Sequence, residues 1–426
     1  MGSPEESWGE TSGALSAGLT STPARGWAVL LLFQLRGSSI ILASFTFGIF
    51  LPFITKDLHL SPLEAGLLQA VWWITSALLA LPFGTWFSRF RPVPLVLVSL
   101  LLGIPFLFLQ GLAVNFFVLL MARFFFVLFH VITTPARTLL LQEWVAPRHY
   151  ALVNAVGLSQ HSTLLAVAIS TSALLIAVVG SWRLAYFILG GFLMVQMVAW
   201  VLVAREERAP VSGLRRALRT QVGTPLRAIR AYPQGWLIGV TMFSWSATWT
   251  AMVTFLPTFL LEERELSLKL GGPLLAFLYY VLIPSAPVAA FLERRVRSRK
   301  LFLWVPSLFN MIFGVAIAVT PNPFLLMALI TGLGMVWIAS PVVQVLPFEF
   351  PGIRPREVAV VAALVGTFSG LGFAAGPLIT GLVAQLTGSI QTGLIVLSLI
   401  TGIGVIAGLL YPSQSRGVKP PVEVPV

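Results

Sequence analysis

"RFFFVLFHVITTPARTLLLQEW", residues 123–144, is an apolar run interrupted by Arg123, His130 and Arg137, each seven residues from the next. At about 100° per residue, seven residues fall roughly 20° short of two full turns, so a helix gathers the three basic groups within about 40° of arc. The run exceeds the ~20 residues that cross a hydrocarbon core, and it carries a basic stripe on one side.

Eleven other runs of similar length follow the same logic, giving twelve segments: 27–54, 62–86, 93–112, 116–143, 150–179, 182–203, 234–261, 270–292, 301–320, 323–348, 358–386 and 390–411. The chain of 426 residues is 57% apolar and only 10% charged, with a mean hydropathy of +0.91. A soluble domain carries about 25% charged residues. Since a lone strand cannot satisfy its backbone in lipid, the expected fold is an all-α membrane protein of twelve transmembrane helices.

The net charge of +12 invites a nucleic-acid reading, but the placement of the charges argues against it. Twenty of the 27 Lys and Arg stand in the termini and in alternate loops. By the positive-inside rule those loops and both termini are cytoplasmic in a multi-pass protein of the cell (inner) membrane. No aromatic or reading helix is interleaved with the charges. The first 25 residues are polar and lack the basic start and apolar core of a cleavable signal peptide. There is no Cys, so disulfides and thiol chemistry are excluded.

The strongest basic stretch separates the sixth and seventh segments. It divides the chain into a cytoplasmic tail (1–25), a six-helix bundle (26–203), a basic linker (204–233), a second six-helix bundle (234–411) and a cytoplasmic tail (412–426). Within the linker, "LRRALRT" reads either as a short helix on the inner membrane surface or as a solvated charge run.

The two bundles repeat. "FLP" at 50–52 returns at 255–257 and Pro82 at Pro287, both offset by 205; "LLMA" at 119–122 returns at 325–328, Pro135 at Pro341 and Glu143 at Glu349, all offset by 206. One register through three helices points to a duplicated unit.

These features resemble the major facilitator superfamily: twelve helices, two six-helix halves, a basic central loop and cytoplasmic termini. The family's loop signature after the second helix is met by Gly84 and Arg89 in "GTWFSRFRP", with Ser88 where the acid belongs; in "AAFLERRVRSRK" Glu293 restores the acid beside Arg294. The resemblance implies a secondary active transporter, and it implies that helices 1, 4, 7 and 10 line the cavity. "EWVAPR" (Glu143, Arg148) and "EFPGIR" (Glu349, Arg354) share one spacing of acid and base. By the same resemblance, Arg89, Glu143 and Arg148 form one cytoplasmic gate cluster, and Glu293, Arg294, Glu349 and Arg354 the other. Solvated interfacial charge is the plainer alternative, since exposed pairs contribute only about 0–1 kcal/mol each.

Ionisable groups deep in a membrane segment are costly and mark candidate sites. At about 1.5 Å per residue, Arg36 lies roughly 14 Å along the first segment, His130 about 21 Å along the fourth and His161 about 18 Å along the fifth. The three share a level near the midplane. Arg123 lies about 10 Å in, at the position of a family arginine associated with proton coupling, and Arg137 about 31 Å in, where a long side chain snorkels to the interface.

All fifteen acids lie in termini, loops or helix ends. A carrier of cations needs a buried carboxylate, so the expected substrate is a small organic anion held by Arg36, Arg123 and His130, with His130 and His161 as proton-coupling groups of a symporter. In the second half Trp245 and Trp249 share a face of "TMFSWSATWTAMVT" and, with Trp337, offer an aromatic wall for substrate or for packing. Tyr279, Tyr280 and Asn310 are weaker candidates. The glycines of "GTFSGLGFAAGPLITG" read as close helix contact or as a hinge.

No Cys nucleophile, mid-membrane acid, HExxH or GxxxxGK[ST] stands in the chain, which excludes the common intramembrane enzymes, metal sites, cofactors and ATP-driven transport. Efflux of neutral or amphipathic compounds, lipid movement and a non-transporting sensor or scaffold stay open. The expected partners are a small molecule and the bilayer, with a monomeric chain.

Overall fold

The computed structural model describes residues 21–412, apart from 88–89, 134–135, 147–148, 206–229, 267, 297, 352 and 354. Both tails' outer parts, most of the linker with "LRRALRT", and Pro135, Arg89, Arg148 and Arg354 therefore lie outside the described residues.

The described chain is helical throughout its regular structure. Its helices are α1 (Ala24–Phe45), α2 (Phe47–Leu58), α3 (Pro62–Phe87), α4 (Pro92–Gly111), α5 (Phe116–Val131), α6 (Ala136–Trp144), α7 (Tyr150–Val179) and α8 (Trp182–Val203) in the first part. In the second they are α9 (Gln234–Glu262), α10 (Leu268–Tyr280), α11 (Ser285–Arg295), α12 (Leu301–Val319), α13 (Pro323–Val336), α14 (Ser340–Val345), α15 (Pro355–Thr387), α16 (Ile390–Ile400) and α17 (Ile403–Leu410). They make twelve crossings, because five crossings are interrupted: at Thr46, after Val131, between Tyr280 and Ser285, at the 3₁₀ turn Trp337–Ala339, and at Thr401–Gly402. Seven described spans are long and apolar enough to cross a membrane, two of them, Pro323–Val345 and Ile390–Leu410, only when the pieces on either side of an interruption are taken together. Short 3₁₀ pieces and turns within a helix are where a crossing can bend.

Backbone details extend the repeat beyond what the sequence offsets reveal. His59 and Glu265, 206 residues apart, are the two described non-glycine residues with positive φ (51° and 55°), each closing a first hairpin. Asn115 caps α5 by accepting from Val118 N, and Asn322, 207 residues later, caps α13 through Phe324 N and Leu325 N. Gly180 and Gly388 (φ 68° and 74°) end α7 and α15 in the left-handed region, and the next residue in each case, Ser181 or Ser389, caps the following helix. A glycine that ends one helix and a serine that starts the next form a tight corner at little strain. Two six-helix repeats thus turn their corners alike.

By packing, the chain forms two compact units, Met1–Gly223 with Val253–Tyr280, and Thr224–Met252 with Val281–Val426. The sequence halves and these units differ in one place, Val253–Tyr280, which packs with the first.

In the first unit α4 packs on α5 and α8, α3 on α5, α1 on α7 and α8, and α10 along α7. Its Asp57 carboxylate accepts from Trp182 Nε1 (3.0 Å) and from Arg183, whose Nη2 also donates to Ala113 O (2.8 Å). At the basic end, Ala146 N donates to Thr22 Oγ1 and Arg25 Nε to Val203 O.

In the second unit Gly372 and Gly376 of α15 lie directly on α9: a Cβ at either would overlap the carbonyl oxygen of Phe243 or Ala247. The glycines therefore serve close helix contact, which in lipid replaces the hydrophobic driving force. Hydroxyls fill the remaining gaps, with Asn310 Nδ2 donating to Thr248 Oγ1 (2.8 Å) and Thr248 paired with Thr401 (3.0 Å).

Candidate substrate site

The interruption between α5 and α6 positions the most unusual side chain of the first unit. Thr133 follows the end of α5 and donates its hydroxyl hydrogen to His130 O (2.8 Å). Ser99 in α4 donates likewise to Val96 O (3.1 Å). Each hydroxyl has one hydrogen, already used, so both present lone pairs. Arg36 of α1 fills them: Nη1 donates to Thr133 Oγ1 (3.0 Å) and Nη2 to Ser99 Oγ (2.5 Å). The residue is 2% exposed. Its Nε is buried with no hydrogen-bond partner among the described residues. The guanidinium is thus aimed by neutral acceptors, with donors to spare.

Beside it lies a cavity of about 460 Å³ whose polar lining includes Gln34, Arg36, Ser76, His130, Thr133, Arg137 and His161, and no carboxylate among the described residues. The volume falls in the range of small-molecule sites. Arg36, His130 and His161, expected at one level, all line this cavity. Arg137, expected at the interface, lines the same cavity, and a narrower pocket continues past it along Leu30, Leu141 and Val153. His130 Nδ1 is buried without a hydrogen-bond partner among the described residues. His161 Nδ1 is 2.9 Å from Ser38 Oγ.

Arg123 stands apart from this cavity. It is fully buried and its donors go to Leu68 O (2.7 Å), Gln69 Oε1 (2.9 Å) and Tyr186 Oη (3.4 Å), with the Phe47 ring 4.1 Å from its guanidinium carbon. These partners tie α5 to α2, α3 and α8. Its geometry is that of an internal lock.

In the second unit Trp245, Trp249 and Trp337 do meet. Trp337 lies edge-on to Trp245 (6.3 Å between centroids) and to Trp249 (5.4 Å), and it stacks on Phe373 at 5.8 Å. Trp245 Nε1 donates to Ser307 Oγ (2.9 Å), while Trp337 Nε1 is buried without a hydrogen-bond partner among the described residues. Trp245 and Trp337 join the unit's hydrophobic core.

The acids expected at the second gate, Glu293 and Glu349, are bridged by a residue outside the expected set. Arg299 donates from Nε to Glu349 Oε2 (2.8 Å), from Nη2 to Glu349 Oε1, and from Nη2 to Glu293 Oε1 (3.0 Å). Burial works against the charge on Arg299, but the two carboxylates outweigh it and hold its pKa above the ordinary arginine value. Arg294 stands at the end of α11, its side chain outside what is described. Glu143 is buried near the end of α6.

A duplicated twelve-crossing bundle with a cavity that carries several basic side chains has the architecture of membrane transport proteins. The chain belongs to the Major Facilitator Superfamily, whose family model matches residues 37–356. A curated relative, the nitrite extrusion protein of Bacillus subtilis (strain 168), is 24% identical over 354 residues, covering 81% of this chain and 84% of the relative. Among solved structures, a bacterial homologue of the human lysosomal transporter Spinster, inward-facing and occupied, aligns with a TM-score of 0.70 at 16% identity over 92% of this chain and 97% of its own. The nucleoside transporter NupG aligns at 0.67 with 14% identity over 90% and 98%. These likenesses concern the fold.

Proposed function

We propose that the chain is a secondary active transporter that moves a small anion across the cell membrane by alternating access of its two halves, 26–203 and 234–411, with proton coupling. One observation carries this reading: a cavity whose described lining holds two arginines, two histidines and no carboxylate. Such a lining attracts negative charge and repels cations. The Arg36 guanidinium supplies directional donors for a carboxylate or another oxyanion, and His130 a further ring nitrogen. That a relative is named for extrusion of nitrite, itself a small oxyanion, supports the anion class.

In the second half Glu293, Arg299 and Glu349 act as a cytoplasmic clamp. Both termini are cytoplasmic, following the basic loops. The test is a thermal-shift series on the purified protein with nitrite, nitrate, formate, acetate and phosphate, followed by uptake into proteoliposomes. Stabilisation and uptake by one of these anions, lost in Arg36→Ala, is the expected result. An unchanged response in Arg36→Ala refutes the site.

A second reading, efflux of an amphipathic or neutral compound, is favoured by the aromatic cluster around Trp337, whose Nε1 lacks a partner among the described residues. Tryptophan fluorescence quenched by aromatic cations and unaffected by anions would favour it.

A further inference from the structure

The two histidines of the cavity are held differently, and the difference follows from counting hydrogens. Ser38 Oγ is 2.9 Å from Gln34 O and 2.9 Å from His161 Nδ1. A carbonyl oxygen only accepts, so the single hydroxyl hydrogen of Ser38 goes to Gln34 O. Ser38 Oγ then receives its second hydrogen bond from His161, which requires a hydrogen on Nδ1. In the neutral ring that leaves Nε2 bearing a lone pair. His130 has no equivalent partner: its Nδ1 meets no hydrogen-bonding group among the described residues, so neither tautomer is selected.

We infer that His161, held by Ser38 with Nε2 as its basic nitrogen, is the group that accepts the coupled proton, and that His130 serves only as a donor to the substrate. The inference rests on the anion-transport reading above and divides the roles of its two histidines. Ser38 is a positioning residue, since it acts through the ring and not on the substrate. The step balances simply: a proton from water on one side adds to the Nε2 lone pair, the ring becomes imidazolium with both hydrogens in place, and release on the other side restores the Nδ1–H form. Among the described residues the other charged or titratable groups lining the cavity are Arg36 from α1, His130 from α5 and Arg137 from α6. A third positive charge in this company is favoured when an anion is present to offset it. By linkage, the anion and the proton then bind together.

The experiment is ¹⁵N-histidine NMR on the full chain in nanodiscs. The four signals of His59, His130, His149 and His161 are assigned by single His→Gln variants, and titrations are run with sodium nitrite, with sodium acetate and with neither. We expect His161 to appear as the Nδ1–H tautomer in the wild type and as Nε2–H in Ser38→Ala, with the His59 and His149 signals unmoved as reporters of folding. The transported anion should favour the imidazolium form of His161 about tenfold at a given pH, and should move the His130 signal as that of a neutral ring that donates, without turning it into imidazolium. In proteoliposomes His161→Gln should lose anion-driven proton movement and keep anion exchange.

An Nε2–H tautomer at His161 in the wild type, no change in Ser38→Ala, or His130 as the ring that becomes imidazolium would each overturn the inference. An anion that is transported without moving His161 overturns the inference and leaves the transport reading standing. If neither anion enters proteoliposomes or shifts either ring, both fall.

Discussion

Arg299 grips Glu349 with two guanidinium nitrogens and reaches Glu293 with one of them, so a single base closes a pair of acids contributed by α11 and by the end of the tenth crossing. The fork fits the carboxylate in a way that a lysine cannot reproduce. Because Arg299 is raised above its ordinary value, the stability it lends is fully present below that value and is lost only as pH rises past the raised one. The contribution of Arg299 itself should therefore not fade on the alkaline side until pH passes the ordinary arginine value. Glu349→Gln and Arg299→Lys should both lower thermal stability, and Glu349→Gln should redistribute distances between spin labels placed in residues 26–203 and 234–411. Unchanged distance distributions would remove the clamp role.

Arg36 should matter for ligand and little for assembly. Its two acceptors are hydroxyls that already donate to backbone, so Arg36→Ala leaves no donor without a partner. Losing a charge-assisted fork corresponds to roughly a hundredfold weaker anion binding. Isothermal titration of the best-stabilising anion against wild type and Arg36→Ala measures this directly.

Arg123 should show the opposite pattern. Removing it strands Leu68 O, Gln69 and Tyr186 in a buried setting at about 1–3 kcal/mol for each group left unsatisfied. Arg123→Ala should lower the unfolding midpoint by roughly 5–10 °C while the protein that stays folded binds anion with wild-type affinity. A thermal ramp with and without the anion separates the two effects.

Within α15 the glycines should divide by what they touch. A methyl group at Gly376 collides with the Ala247 carbonyl, whereas one at Gly366 meets nothing within 4 Å. Gly376→Ala should reduce folded yield in detergent several-fold, and Gly366→Ala should leave it unchanged or slightly improved, as replacing glycine within a helix generally does. Size-exclusion profiles of the two variants settle the comparison.

Helix count and the level of Arg36, His130 and His161 were legible because both depend on distance along one helix, which residue spacing gives directly. Partners across helices were not. Thr133 and Ser99 look like any hydroxyls in an apolar run, and only the turn after α5 and the packing of α4 on α6 bring them to Arg36. Spacing gives the distance of Arg137 along the fourth segment but not that it lines the cavity with Arg36, because the break before α6 leaves no mark in the apolar pattern. In "ERRVRSRK" five bases compete for two acids; the turn between α11 and α12 selects Arg299, a choice that spacing alone does not contain. The corners at Gly180–Ser181 and Gly388–Ser389 lie 208 residues apart, outside the register of 205 and 206 that relates the sequence repeats, so those offsets do not reach them.

Thr133 sits at the end of α5 with one hydrogen committed to that helix and its lone pair committed to a guanidinium on α1. The joint of the fourth crossing and the orienting acceptor of the cavity are one residue. Any swivel of the lower segment against the upper turns the plane of the Arg36 fork by the same hydroxyl, so the angle of the joint is written into the direction in which the cavity offers its charge.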